Sequence, residues 1–119
     1  LIHLSSLFNL KKDKPEDIHR RMQKLEQKRK EKQPMDLPSA GSVFKRPEGF
    51  YTGKLIEECG LRGFRIGDAA VSEKHCGFIV NLGSATAKDV YQLIQHIQKV
   101  VCKRYNVHLQ TEIRILGEI

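Results

Sequence analysis

The chain has 119 residues, a formal net charge of +7 and a hydrophobic fraction of 39%, which is enough for one domain with one core. No apolar run approaches the roughly 18 residues that a membrane-spanning helix needs, so a membrane partner is not expected. The basic balance admits nucleic acid, acidic lipid or a phosphorylated small molecule, but the excess is local. Arg20, Arg21, Lys24, Lys28, Arg29, Lys30 and Lys32 face only Glu26 and Glu31, which reads as a solvated helix face. Without interleaved aromatics or a module signature, nucleic acid is not expected as a partner.

Leu1-Ile2-His3-Leu4 lacks the basic and apolar regions of a signal peptide. Residues 2–10 alternate as a strand, and Lys11-Lys12-Asp13-Lys14 reads as a turn. Asp13, Pro15, Glu16 and Asp17 mark a helix start. Ile18, Met22 and Leu25 give that helix one narrow apolar stripe, and nothing apolar follows from Gln27 to Lys32. Pro34 and Pro38 end it. A strand is expected at Ser42-Val43-Phe44, a turn at Pro47-Glu48-Gly49, and a short helix from Thr52 to Cys59 that stops at Gly60. Short strands are expected at 64–66, 69–72 and 77–81. Thr86 and Asp89 open the strongest helix as a capping box, with Val90, Leu93, Ile94, Ile97, Val100 and Val101 at helical spacing. Residues 107–116 alternate as a long strand, with Glu112 and Arg114 on one parity and Leu109, Ile113 and Ile115 on the other. The fold class is α+β: a small, mostly antiparallel sheet with helices on one face, preceded by a strand and a basic helix.

The most informative stretch is Pro38-Ser39-Ala40-Gly41-Ser42-Val43-Phe44-Lys45-Arg46-Pro47. Gly41 permits close backbone approach, Ser42 offers a small hydroxyl, and Lys45 and Arg46 add two cations, a combination that suits an anionic ligand. Glu112 is either a solvated strand carboxylate or a carboxyl aimed across the sheet at the Ser42 loop. His75, with His3, His19, His96 and His108, makes no metal-ligand spacing. Cys59, Cys76 and Cys102 show no C-x-x-C pattern. They read as small buried residues of a protein from a reducing cytoplasm. No metal is expected. Neither G-x-G-x-x-G nor a phosphate-loop lysine motif occurs.

Residues 38–47 (PSAGSVFKRP), 53–61 (GKLIEECGL), 66–81 (IGDAAVSEKHCGFIVN), 83–90 (GSATAKDV) and 112–118 (EIRILGE) occur in this order. Together they resemble UDP-N-acetylenolpyruvoylglucosamine reductase, also called UDP-N-acetylmuramate dehydrogenase, a bacterial flavoenzyme of peptidoglycan precursor synthesis. The resemblance covers the C-terminal, substrate-binding third of such an enzyme. It implies that residues 1–10 are the last strand of a preceding FAD-binding domain. Residues 11–34 are then a connector helix and linker, and residues 35–119 the substrate-binding domain. It further implies NADPH and FAD as cofactors of the whole enzyme, neither bound to this piece alone, and UDP-N-acetylglucosamine enolpyruvate as substrate. Ser42 takes the place of the proton donor and Glu112 that of the assisting acid. Lys32, Arg46, Tyr51 and His75 match substrate-binding positions, and Gly41 lies beside the flavin. Thr52 and Asp68 depart from the common alanine and glycine of the family. The short span from Pro47 to Gly53 places the chain with the compact subclass.

The rival readings are a basic nucleic-acid-binding module and a structural piece without ligand affinity. The exposed edge of strand 2–10 also predicts a strand-paired dimer.

Overall fold

The computed structural model describes residues 2–118; Leu1 of the expected segment 1–10 and Ile119 of the expected domain 35–119 lie outside the described residues. The chain forms one unit ending at Glu31 and another from Lys32 onward.

In the first unit residues 2–14 run without helix or strand. The strand that their alternation predicts over 2–10 is therefore not formed. A strand exists only through pairing, and no described segment pairs with this one. Helix α1 spans Pro15–Lys32 as expected. The Asp13 carboxylate accepts the Lys14 N–H at 2.8 Å and the Arg21 guanidinium at 2.7 Å, fixing the helix start. Those bonds, Arg21 foremost, hold the Asp13 carboxyl below its ordinary range. Arg20–Asp17 and Lys30–Glu26 pair along the helix at 3.2 and 2.7 Å. No residue of α1 is buried, and Met22 and Leu25 of the apolar stripe stay 62% and 61% exposed.

The second unit is a four-stranded sheet with two helices. Strands β1 (Ser39–Ser42), β2 (Arg65–Ile66), β3 (Ala69–Val71) and β4 (Phe78–Asn81) lie in the order β1-β4-β3-β2, every neighbour antiparallel. Helix α2 spans Thr52–Glu58 and α3 spans Ala87–Tyr105. Alternation decides which strand residues meet the helices: Ala69, Val71 and Ile79 join the core that Leu93, Ile94, Ile97 and Val101 of α3 complete. Leu55 and Ile56 of α2 fill the same core. Each fully buried aliphatic side chain of this kind contributes about 1.5–3 kcal/mol. Tyr105 and Arg104 of α3 tie down the end of α2: the Tyr105 hydroxyl donates to Glu58 Oε2 at 2.7 Å, and Arg104 donates to the Glu58 carbonyl.

Two features position the site. Ser39 opposes Val80 and Ser42 opposes Phe78, so β1 carries one residue more than β4 and bulges. Gly41 sits in the bulge at φ +89°, a conformation that favours glycine. Beyond the bulge, buried Val43 and Phe44 continue the chain toward residues 110–112, where Phe44 pairs with Thr111. The long strand expected over 107–116 is reduced to this one bridge. Leu109 is nevertheless buried and Ile113 packs on the core, as the parity predicts, while Glu112 and Arg114 are exposed. Side-chain burial here follows the alternation, but only the turn around Thr111 has a backbone neighbour.

Thr86 caps α3: its hydroxyl accepts the Asp89 N–H at 3.1 Å and the Asp89 carboxylate accepts the Thr86 N–H at 2.9 Å. Thr86→Ala is expected to cost about 1 kcal/mol in urea unfolding. The Thr86 hydrogen bonds hold the Asp89 carboxyl below its ordinary value. Its contribution is therefore present at neutral pH and is lost as pH falls through the depressed value. The Asp89→Ala variant should lose less stability than the parent chain on acidification below about pH 4; equal losses would contradict this linkage.

Candidate active-site cleft

The bulge re-aims Ser42, and the short pairing beyond it brings Glu112 alongside. Glu112 donates its N–H to the Val43 carbonyl at 2.8 Å, and Lys45 donates its N–H to the Gln110 carbonyl at 2.8 Å. Ser42 and Glu112 thereby line one open cleft of about 610 Å³. Phe44, Arg46, Tyr51, Thr52, Lys54 and Arg62 line it too, as does the β3–β4 loop through Lys74, His75, Cys76 and Gly77.

Charge in the cleft is uneven. Arg62 pairs with Glu57 at 2.7 Å, Lys54 with Glu58 at 3.7 Å and Lys74 with Asp36 at 3.9 Å. Arg46 has no carboxylate partner among the described residues. Its guanidinium instead donates through Nε to the Phe50 carbonyl at 3.1 Å and lies 3.9 Å from the Tyr51 ring centroid. A carbonyl and an aromatic face orient the cation without neutralising it. The cleft thus offers a held, uncompensated positive charge beside a serine hydroxyl and a carboxyl group.

The β3–β4 loop builds the wall next to Ser42, where the Val43 N–H donates to the Gly77 carbonyl at 3.0 Å. Ser72 Oγ accepts the N–H groups of Lys74 and His75, both at 3.2 Å. The Gly77 N–H donates to His75 Nδ1 at 3.0 Å. The imidazole meets Phe78 edge-on at 5.0 Å. Cys76 is buried and lines the cleft. Burial pushes its thiol pKa up, opposed by the nearby Arg62.

Five of the residues singled out in the sequence, Ser42, Arg46, Tyr51, His75 and Glu112, meet in this cleft. Two do not line it. Gly41 supplies the bulge, and an added Cβ there would meet nothing within 4 Å. Lys32 is the exposed last residue of α1. Lys54, Glu57, Arg62 and Gly77 are lining residues that sequence reasoning passed over. Of these, only Gly77 left a local sign, a glycine two positions after a histidine that its N–H can cap. Among the described residues no group of three His, Cys, Asp or Glu side chains could hold a metal ion, and no helix is long and apolar enough to cross a membrane.

Residues 33–116 match the family model of the UDP-N-acetylenolpyruvoylglucosamine reductase C-terminal domain. The chain belongs to this family. Two reductases of that name are similar to it, from Lachnoclostridium phytofermentans and from Caldanaerobacter subterraneus subsp. tengcongensis. They are 54% and 56% identical over 97% and 98% of the chain. The crystal structure of UDP-N-acetylenolpyruvylglucosamine reductase from Thermus caldophilus superposes with a TM-score of 0.73 at 40% identity, covering 92% of this chain and 38% of that one. The chain spans 37% and 39% of the length of the two reductases, so in this family it corresponds to the C-terminal portion.

At the strand–loop–helix junction from β4 to α3, four successive amides are engaged within the chain. Gly83 and Ala85 donate to Asn81 Oδ1, Ser84 to Asp68 Oδ2 and Thr86 to Asp89 Oδ2. These four are then not open toward a phosphate.

The raised Cys76 thiol should stay protonated at neutral pH and react with iodoacetamide at least about tenfold more slowly in the native chain than in urea. Similar rates in both states would contradict the burial argument.

Proposed function

We propose that this chain is the substrate-binding portion of a bacterial, cytoplasmic reductase that converts UDP-N-acetylglucosamine enolpyruvate to UDP-N-acetylmuramate for peptidoglycan synthesis. In this reading an FAD held by the preceding part of the protein would, with NADPH as reductant, supply the hydride for the enolpyruvyl group. The observation that carries the reading is the convergence of Ser42, Glu112 and the uncompensated Arg46 in one cleft, within a chain of this family.

Hydride addition at C3 of the enolpyruvyl group leaves a negative charge spread over C2 and the adjoining carboxylate. Ser42 delivers its hydroxyl proton to C2. A serine hydroxyl is a weak acid, but held in contact with a strongly basic carbon it can act as the general acid. Glu112 assists as an acid and stabilises the charge that builds at the substrate carboxylate, which lowers the barrier. Arg46 binds the diphosphate, with Tyr51 as the surface that keeps its guanidinium in place. His75 contacts the same ligand from the β3–β4 loop. Lys32 reaches the diphosphate region from the connector, and Gly41 leaves its open side to the flavin ring. Residues 1–10 and 11–34 serve as the end of the flavin domain and the connector to residues 35–119.

The 119-residue chain by itself is expected to purify without flavin absorbance and without reductase turnover, and bound FAD with turnover would overturn the assignment. Titration of the chain with UDP-N-acetylmuramate should shift the amide resonances of Ser42 and Arg46. Arg46→Ala should weaken that binding about 10- to 100-fold, as removal of a charge-assisted contact does. Absence of any shift up to millimolar ligand would contradict the reading.

A further inference from the structure

We infer that Gln98 of α3 is a positioning residue for Glu112: its carboxamide holds the Leu109 carbonyl, and through it the backbone that carries the carboxyl group into the cleft. The inference rests on the substrate-binding reading above and extends it to a residue that does not line the cleft.

After α3 the chain reverses. Asn106 takes the left-handed conformation at φ 54° and donates its N–H to the Cys102 carbonyl at 2.8 Å. Residues 107–109 then lead to the pairing with residues 43–45, and neither helix nor strand includes them. Two contacts show that they run back beside α3. Cys102 Sγ lies 3.6 Å from His108 Nδ1, and Gln98 Nε2 donates to the Leu109 carbonyl at 2.9 Å. Positions 98 and 102 are one helical turn apart and share a face.

The two contacts are unequal. A thiol is a weak donor and acceptor, and His108 is exposed. The carboxamide bond is short and half-buried, and it ends on a residue that is itself buried. Burial of Leu109 fixes how deep the segment sits. It does not fix where the backbone lies along α3, because an apolar contact has no direction. The amide–carbonyl bond supplies that direction. The pairing follows at once: the Gln110 carbonyl accepts from Lys45, and the Glu112 N–H donates to Val43. A shift at Leu109 therefore passes to Glu112, and a misplacement of about 1 Å at a reacting group can slow a reaction about 100-fold.

The test has two arms. In the 119-residue chain, amide hydrogen exchange is compared between the parent and Gln98→Met, which keeps the side-chain length and removes the donor. The Glu112 and Lys45 amides should exchange about tenfold faster in the variant, with the Val71 and Asn81 amides of the sheet unchanged. Parent-like exchange at Glu112 overturns the proposal. Should the variant lose its fold, seen as faster exchange throughout, Gln98→Asn, one methylene short of the carbonyl, takes its place and answers the same question. In the full-length reductase proposed to carry this chain, Gln98→Met should lower kcat for the enolpyruvyl substrate about tenfold, with KM within about threefold and flavin reduction by NADPH unaltered. In a Glu112→Gln background the same change should cost less than about twofold, because a positioning residue acts only through the group it positions. A full further tenfold loss in that background marks a general structural role and overturns the proposal. A parent reductase that does not turn over this substrate overturns the substrate-binding reading, and the role of Glu112 with it, while exchange still decides whether Gln98 anchors the segment.

Discussion

The site depends on three residues of backbone pairing. Val43, Phe44 and Lys45 run antiparallel to residues 110–112, joined by the Glu112 N–H to the Val43 carbonyl and the Lys45 N–H to the Gln110 carbonyl. The β1 bulge places Ser42 just before this pairing, and Glu112 closes it from the other side. Val43, Phe44 and Leu109 bury their side chains beneath it, so the core that stabilises the domain also fixes the spacing of the two polar groups. Loss of the pairing would release the residues after α3 and separate the serine from the carboxyl group, with the sheet itself unchanged.

The second constraint is electrostatic. Most cations around the cleft have carboxylate partners, and exposed pairs of that kind add little to stability. Arg46 differs in being held by a carbonyl and a ring. Its charge is oriented in advance and not cancelled, which lowers the cost of ordering a long side chain when an anion binds. The histidine wall follows the same logic: Gly77 and Ser72 fix the imidazole before any ligand arrives.

Local signals carried much of the fold. Helix α3 was legible because its cap and its apolar spacing agree. The short strands were legible through the glycines between them. Residues 2–10 and 107–116 show the limit. Alternation reports which side chains face inward, and it did so for Leu109 and Ile113, but a ladder also needs a neighbour. The 107–116 segment finds one only at Thr111, and 2–10 finds none among the described residues. The α1 stripe of Ile18, Met22 and Leu25 likewise has the right spacing and no burial. In the site, Ser42 and Arg46 were visible from their own stretch. Glu112 was ambiguous because its meaning lies in a pairing across the domain. The Arg46–Tyr51 contact was invisible, since it arises where separate turns meet.

The central claim is that Ser42 is the proton donor to the substrate carbon. Its most direct test is Ser42→Ala in the full-length reductase proposed to carry this chain, followed in two half-reactions. The account predicts flavin reduction by NADPH at the unaltered rate and reduction of the enolpyruvyl substrate slowed about 10²- to 10⁴-fold, the range of a lost general acid. Substrate reduction at the parent rate by the alanine variant would contradict it.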